Sequence, residues 1–241
     1  MKVTVIGTSS AYPTKDNPTS SYLIQTQEGN VLLDCGSGSM MALDKTIDLE
    51  ELDYIFISHK HPDHIADLGV LQHRRLVQKN INKDLADLHI FGTFEELIKN
   101  EIQSINSSKV FNLSSVENIG PFITRFHKTN HPVEAYAIRL EIKGKSIVYT
   151  SDTAYCENLI QFAKNADLLI TESSLYPGMD GTKSGHMTVN EAIDFSVKSN
   201  AKETLLSHLP EYGPFEVMEE VVEKTGLKNI SFAKPSMTIR V

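Results

Sequence analysis

The chain has no tryptophan, only two cysteines, and no apolar run long enough to cross a bilayer. Each shortage removes a class of protein. A transmembrane helix needs about 18 or more consecutive apolar residues, so a membrane span is excluded. Cys35 and Cys156 lie far apart, unlike the closely spaced cysteines of a secreted disulfide scaffold. Both read as small core hydrophobes. The opening Met1-Lys2-Val3-Thr4-Val5-Ile6-Gly7 runs directly into a strand pattern. It lacks the basic start and long apolar stretch of a signal peptide, and the expected setting is the reducing cytoplasm. Basic residues are also in short supply, 23 against 31 acidic ones, for a net charge of −8. A protein that grips long nucleic acid neutralises phosphates with Lys and Arg, so charge argues against a large RNA or DNA partner. The cluster His73-Arg74-Arg75 with Lys79 reads as the solvated face of a helix.

No linker, low-complexity tract or charge block divides the 241 residues, a length that supports a core without staples. Apolar alternation predicts strands over 3–6, 22–26, 31–34, 54–58, 88–91, 122–127, 135–142, 146–150, 168–171, 204–207 and 236–241. Helices are expected over 37–45, 63–79, 93–103, 157–165, 188–199 and 214–224. Thr93-Phe94-Glu95-Glu96 and Thr188-Val189-Asn190-Glu191 are capping boxes, in which hydroxyl and carboxylate each satisfy an orphan backbone donor. Early strands come as meanders and later ones alternate with helices. That mixture predicts two mixed sheets with helices outside.

The chemistry gathers in His59-Lys60-His61-Pro62-Asp63-His64, directly after the apolar run Tyr54-Ile55-Phe56-Ile57-Ser58. Neutral imidazole and carboxylate are the ligands that zinc, manganese and iron take in hydrolytic sites. On a helix, positions i and i+2 point to different faces. A tight loop beyond a strand can instead turn His59 and His61 to one ion and Asp63 and His64 to another. Two ions need more donors, and His131, Asp152 and His208 each follow a predicted strand. A carboxylate can bridge two cations, which makes Asp152 the shared ligand. His59, His61 and His131 then serve one ion, and Asp63, His64 and His208 the other. Open coordination positions remain for water, the mark of a catalytic site.

The ordered set Asp34, His59-x-His61-x-Asp63-His64, His131, Asp152, His208 resembles the metallo-β-lactamase superfamily over nearly the whole chain. The resemblance implies an α/β fold of the α+β type, a four-layer αββα sandwich. It would be a single domain over 1–241 with two similar halves, approximately 1–115 and 116–241. It implies two divalent cations, zinc first with manganese or iron as alternatives. Asp34 matches the family's buried acid that stands behind a ligand and orients it, as such carboxylates do. Within the superfamily, Thr171-Glu172-Ser173-Ser174, Gly185-His186-Met187-Thr188 and Leu205-Leu206-Ser207-His208-Leu209 are similar to the ribonuclease Z and phosphodiesterase branch. There the glycine-flanked histidine acts on the scissile phosphate, a role this implies for His186. Two residues before the capping Thr188, His186 also sits at a helix N-terminus, which favours an anion. Glu172 could take its other ring N–H and fix the tautomer.

Three departures restrain the substrate. Ribonuclease Z carries a tRNA-gripping arm between the matches of His131 and Asp152, whereas here 21 positions hold two ordinary strands. Ile65-Ala66-Asp67-Leu68-Gly69-Val70-Leu71 lacks the Gly-Leu-Pro-Gly-Leu-Leu of processing enzymes, and the chain is acidic. The expected function is a binuclear hydrolase of a compact phosphodiester, a cyclic nucleotide or short RNA, acting through a metal-bridging hydroxide. Asp63, His186 and Glu172 carry the catalysis. Alternatives are a tRNA 3′-processing endoribonuclease, then a thioester or lactone hydrolase of the same fold. Behind them stand a di-iron oxidoreductase and a non-catalytic metal-binding module. The expected partner is a small phosphodiester, with RNA second to it, no membrane, and a second copy of the chain in a homodimer.

Overall fold

The computed structural model describes residues 1–93, 105–113 and 118–241, so the helix expected over 93–103 falls outside all but its first position. The chain divides into two compact units. One comprises Met1–Gly7, Ala11–Val116 and Pro235–Arg240, the other Thr8–Ser10, Glu117–Lys234 and Val241.

The first unit holds β1 (Lys2–Gly7), β2 (Ser21–Gln25), β3 (Asn30–Leu33), β4 (Tyr54–Phe56), β5 (Leu88–Gly92) and β6 (Ser108–Asn112). The second holds β7 (Asn118–Ile119), β8 (Phe122–Lys128), β9 (Tyr136–Ile142), β10 (Lys145–Tyr149), β11 (Leu168–Glu172), β12 (Glu203–Ser207) and β13 (Ile230–Phe232). The chain then returns to the first sheet as β14 (Thr238–Arg240), giving the orders β14-β1-β2-β3-β4-β5-β6 and β13-β12-β11-β10-β9-β8-β7. Each sheet begins as an antiparallel meander and ends in parallel strands, β3 to β6 in one and β10 to β13 in the other. Parallel strands need crossovers. The helices α1 (Ser39–Leu43), α2 (Pro62–Ile65), α3 (Leu68–Ile81), α4 (Glu157–Phe162), α5 (Val189–Ser199) and α6 (Glu216–Thr225) lie in such connections. The loops beyond the carboxyl ends of parallel strands are where layered α/β folds gather chemistry.

In the first unit, Leu32, Ile55 and Ile90 join Leu68 and Leu71 of α3 in one apolar cluster. On the opposite face, Phe56, Phe91 and Phe111 are in register and stack at 5.2 and 5.1 Å. Cys35 is fully buried, and its thiol is pushed well up by burial, then by Asp67 and Asp34. In the second unit, Val148 and Leu169 pack with Leu159, Ile160 and Phe195. The Thr188 capping box is formed, with Thr188 N donating to Glu191 at 2.8 Å and Glu191 N to Thr188 Oγ1 at 3.3 Å.

Several expectations need correction. The helix over 63–79 is two pieces, because Asp67 leaves the helix to work on the neighbouring segment. Its N–H donates to Cys35 O at 3.1 Å and its carboxylate accepts Met40 N at 3.0 Å. The solvated basic face is not uniform either. Arg75 is buried and donates to the carbonyls of Leu49 and Ala86, while Arg74 and Lys79 are paired with Asp44 and Asp87. The short parallel strands β6 and β13 and the two-residue β7 were not anticipated, since they carry little alternation. Among the described residues no helix is long and apolar enough to cross a membrane.

Candidate metal centre

In the first unit the ladder stops where a side chain takes over from it. Ile57 N still donates to Phe91 O at 2.8 Å, but Ser58 N turns to Asp34 Oδ1 at 2.7 Å. The strand expected over 54–58 therefore ends at Phe56. Asp34 follows β3 directly with φ 57°, a left-handed value that costs a non-glycine residue about 1–2 kcal/mol. Hydrogen bonds hold it there. Its N–H donates to Phe56 O, its carbonyl accepts Ser21 Oγ, and Oδ2 accepts Ser58 Oγ at 2.8 Å and His64 Nδ1 at 2.7 Å.

Those bonds set tautomers. A carboxylate only accepts, so His64 carries its hydrogen on Nδ1 and offers the Nε2 lone pair. Ser58 gives its one hydroxyl hydrogen to Asp34. Its oxygen therefore accepts from His59 Nδ1, 3.1 Å away, and His59 too offers Nε2. The candidate donors are not all on a loop. His61 is the N-cap of α2, and Pro62 stands in its first turn, where its fixed φ starts a helix without losing a bond. Asp63 and His64 are thus helical. The approach is close: a Cβ on Gly36 would stand 1.9 Å from Asp63 O.

In the second unit two donors again lie just beyond parallel strands, while His131 follows the antiparallel β8. Asp152 follows β10, preceded by Ser151 at φ 55°, and His208 follows β12 at φ 51°. His131 Nδ1 donates to Gly185 O at 3.0 Å and so also offers Nε2. Gly185 has φ 77°, and a Cβ there would lie 2.6 Å from His131 Nδ1, so no other residue fits without displacement.

His186 has its Nδ1 3.1 Å from Glu172 Oε1, and the rings of His131 and His208 lie 5.4 and 5.7 Å from its own. Asp152, Glu172 and His186 offer atoms within 4.8 Å of one another. Glu172 is buried, and both oxygens are engaged. Oε1 also accepts Thr153 N at 2.7 Å, while Oε2 accepts Ser174 Oγ at 2.7 Å and Met187 N at 3.1 Å. Such a carboxylate orients its neighbours and has little left for a cation.

Three donor pairs test the fit of a metal within the separate units. His59 Nε2 and His61 Nδ1 are 3.0 Å apart, Asp63 Oδ2 and His64 Nε2 3.5 Å, and Asp152 Oδ2 and His208 Nε2 3.3 Å. Two ligands of one cation, each at about 2.0–2.2 Å, stand about that far apart. The residues fit the group. Of the remaining histidines, His127 bonds Lys128 O at 2.8 Å, and His89 packs between Tyr54 and Phe111. Sequence reasoning missed Ser58, Thr153 and Ser174, hydroxyl residues whose partners become visible only in the fold.

Two mixed sheets with flanking helices and histidine and aspartate donors beyond their strands define a metallo-hydrolase of the metallo-β-lactamase fold. The chain belongs to the β-lactamase superfamily: residues 29–209 match the Beta-lactamase superfamily domain. It is 36% identical over 237 residues, 97% of each protein, to the probable metallo-hydrolase YhfI of Bacillus subtilis (strain 168). With the crystal structure of YhfI, a metallo-beta-lactamase fold protein, the TM-score is 0.92 over 99% of this chain and 98% of that one. Human tRNase Z, short form (ELAC1), shares the fold, with TM-score 0.76 and 22% identity over 100% of this chain and 99% of that one. The zinc phosphodiesterase ELAC protein 2 homolog of Caenorhabditis elegans is 24% identical over 304 residues, covering 99% of this chain and 35% of that protein.

Proposed function

We propose that the two donor sets complete one binuclear zinc centre and that the protein hydrolyses a compact phosphodiester, such as a cyclic nucleotide or short RNA. His59, His61 and His131 hold one ion, Asp63, His64 and His208 the other, and Asp152 is shared. The observation that carries the reading is His186, a histidine the ligand sets do not need. Its Nδ1 is 3.1 Å from buried Glu172 in the group that includes Asp152. Relatives named for zinc phosphodiesterase and tRNase activity support the same bond class.

Bound there, the cations would polarise the phosphoryl oxygen and supply a water acidic enough to attack near neutral pH. Asp63 would accept a proton from that water. Glu172 keeps the His186 hydrogen on Nδ1 and stabilises its imidazolium, which gives the Nε2 proton to the leaving alkoxide. Thioester or lactone hydrolysis leaves His186 and Glu172 without this task. Precursor tRNA fits less well, because β9 and β10 are joined by a tight turn at Lys143 (φ 50°) and Gly144 (φ 74°) where an arm would emerge.

Metal analysis joined to a hydrolysis screen tests this. Two equivalents of zinc per chain are expected, with turnover of bis-p-nitrophenyl phosphate and cyclic nucleotides well above that of thioesters or precursor tRNA. One equivalent in metal-replete protein would sink the binuclear centre. Site-specific removal of a tRNA 3′ trailer at a rate rivalling the small diesters would overturn the substrate class.

A further inference from the structure

Glu172 does more than hold His186. Its Oε1 accepts the N–H of Thr153, the residue after Asp152, at 2.7 Å. Thr153 Oγ1 in turn accepts the N–H of Asn130, the residue before His131, at 3.2 Å and donates to Ala154 O at 2.7 Å. Ala154 N closes a second bond between the same segments, to Asn130 O at 2.9 Å. From His131 the path runs through Nδ1 to Gly185 O at 3.0 Å, across one peptide to His186, and back to Glu172. Glu172 also accepts Met187 N. The result is a closed polar circuit through Glu172, Thr153, Asn130, His131, Gly185 and His186. Thr153 and Glu172 are both essentially buried, at 0% and 1% exposure, so water offers these groups no substitute.

A second tie runs to the backbone beside Asp152. Glu172 N donates to Thr150 Oγ1 at 3.1 Å, and that hydroxyl donates to Ser151 O at 2.8 Å. Ser151 is the left-handed residue just before Asp152, with φ 55°. Both ends of the Asp152 segment are thus referred to one glutamate.

We propose that Glu172 is a positioning residue for the ligands Asp152 and His131, acting through Thr153, as well as for His186. This rests on the reading above that Asp152 and His131 bind zinc. The polar groups behind a ligand fix its direction, and their loss typically costs about 10–100-fold in metal affinity. Metal retention and His186 placement therefore share Glu172, while Thr153 serves the metal side alone.

Thr153→Val separates the two tasks. It removes the acceptor for Asn130 N, keeps the side-chain shape, and leaves the N–H that Glu172 accepts. Metal-stripped protein would be titrated with zinc against a chromogenic chelator, and with cobalt to record the ligand-field spectrum. Glu172→Gln and Thr153→Val are expected to bind zinc about 10–100-fold more weakly and to alter the cobalt spectrum. Thr153→Ser, which keeps the hydroxyl, is expected to restore both. Should Glu172→Gln fail to fold, the Thr153 pair decides the matter. Wild-type zinc affinity in Thr153→Val, or equal losses in Thr153→Val and Thr153→Ser, would overturn the inference alone. A wild type that takes up no zinc would overturn both it and the binuclear reading.

Discussion

Asp34 in the first unit and Glu172 in the second each accept a hydrogen from a histidine Nδ1, yet the histidines they hold differ. His64 is fully buried and bound at 2.7 Å; His186 is 22% exposed and bound at 3.1 Å. A carboxylate that closes a buried imidazole tightly suits a ligand, which need only point its lone pair at an ion. A histidine that remains accessible suits work on a substrate. Gly36 and Gly185 make the comparison again, each admitting a backbone that a Cβ would obstruct. A buried acid and an oriented ring thus recur in both units, around a fully buried histidine in one and a partly exposed histidine in the other.

The sharpest way to break this comparison is His186→Ala. If His186 is an acid and not a ligand, zinc content stays at the wild-type level while phosphodiester turnover falls by about 10²–10⁴. The loss should shrink for p-nitrophenolate esters, whose leaving group barely needs a proton. Equal losses across leaving groups would point to electrostatic work instead, and loss of zinc would place His186 with His64.

Asp34→Ala should give the complementary result. It leaves the Ser58 N–H and His64 Nδ1 without the acceptor they share, in a position with no solvent exposure. Each buried donor left without a partner costs about 1–3 kcal/mol, readable as a lower urea midpoint in metal-free protein. Zinc affinity should fall in parallel. A stable, zinc-replete Asp34→Ala protein would mean that His64 needs no orienting acid.

Strand ends were the most legible part of the molecule, because apolar runs such as Leu205-Leu206-Ser207 and Ile147-Val148-Tyr149 stop where a donor begins. The capping box at Thr188 was legible for a similar reason: both partners lie within four residues. The break in 63–79 was not, because Asp67 answers to Met40 and Cys35, which are remote in sequence. Nor were Ser58, Thr153 and Ser174, since serine and threonine are common everywhere and only distant carboxylates give these three a task. The positive φ values of Asp34, Ser151 and His208 left no trace either. Glycine marks such positions in a sequence, and none of the three is glycine.

The two serines offer the finest test of the comparison and the smallest effects. Ser58 Oγ donates to Asp34 and accepts from His59 Nδ1; Ser174 Oγ donates to Glu172 and lies 3.4 Å from His186 Nδ1. Ser58→Ala frees the His59 tautomer, so its cost should appear in zinc affinity, at about 10-fold, with little change in kcat at saturating zinc. Ser174→Ala leaves Glu172 Oε2 with Met187 N and Ser174 N. The lost bond to a charged group is worth about 1.5–3 kcal/mol, and the remaining donors should hold the loss to the lower end. His186 then wanders without leaving, and kcat should drop less than about 10-fold, while zinc affinity falls far less than in Glu172→Gln, because Oε1 keeps its bond to Thr153 N. Zinc titration and steady-state kinetics on both variants read the difference directly. Should Ser174→Ala lose more zinc affinity than Ser58→Ala, and Ser58→Ala lose only turnover, the heavier metal-holding task would fall to Glu172 and not to Asp34.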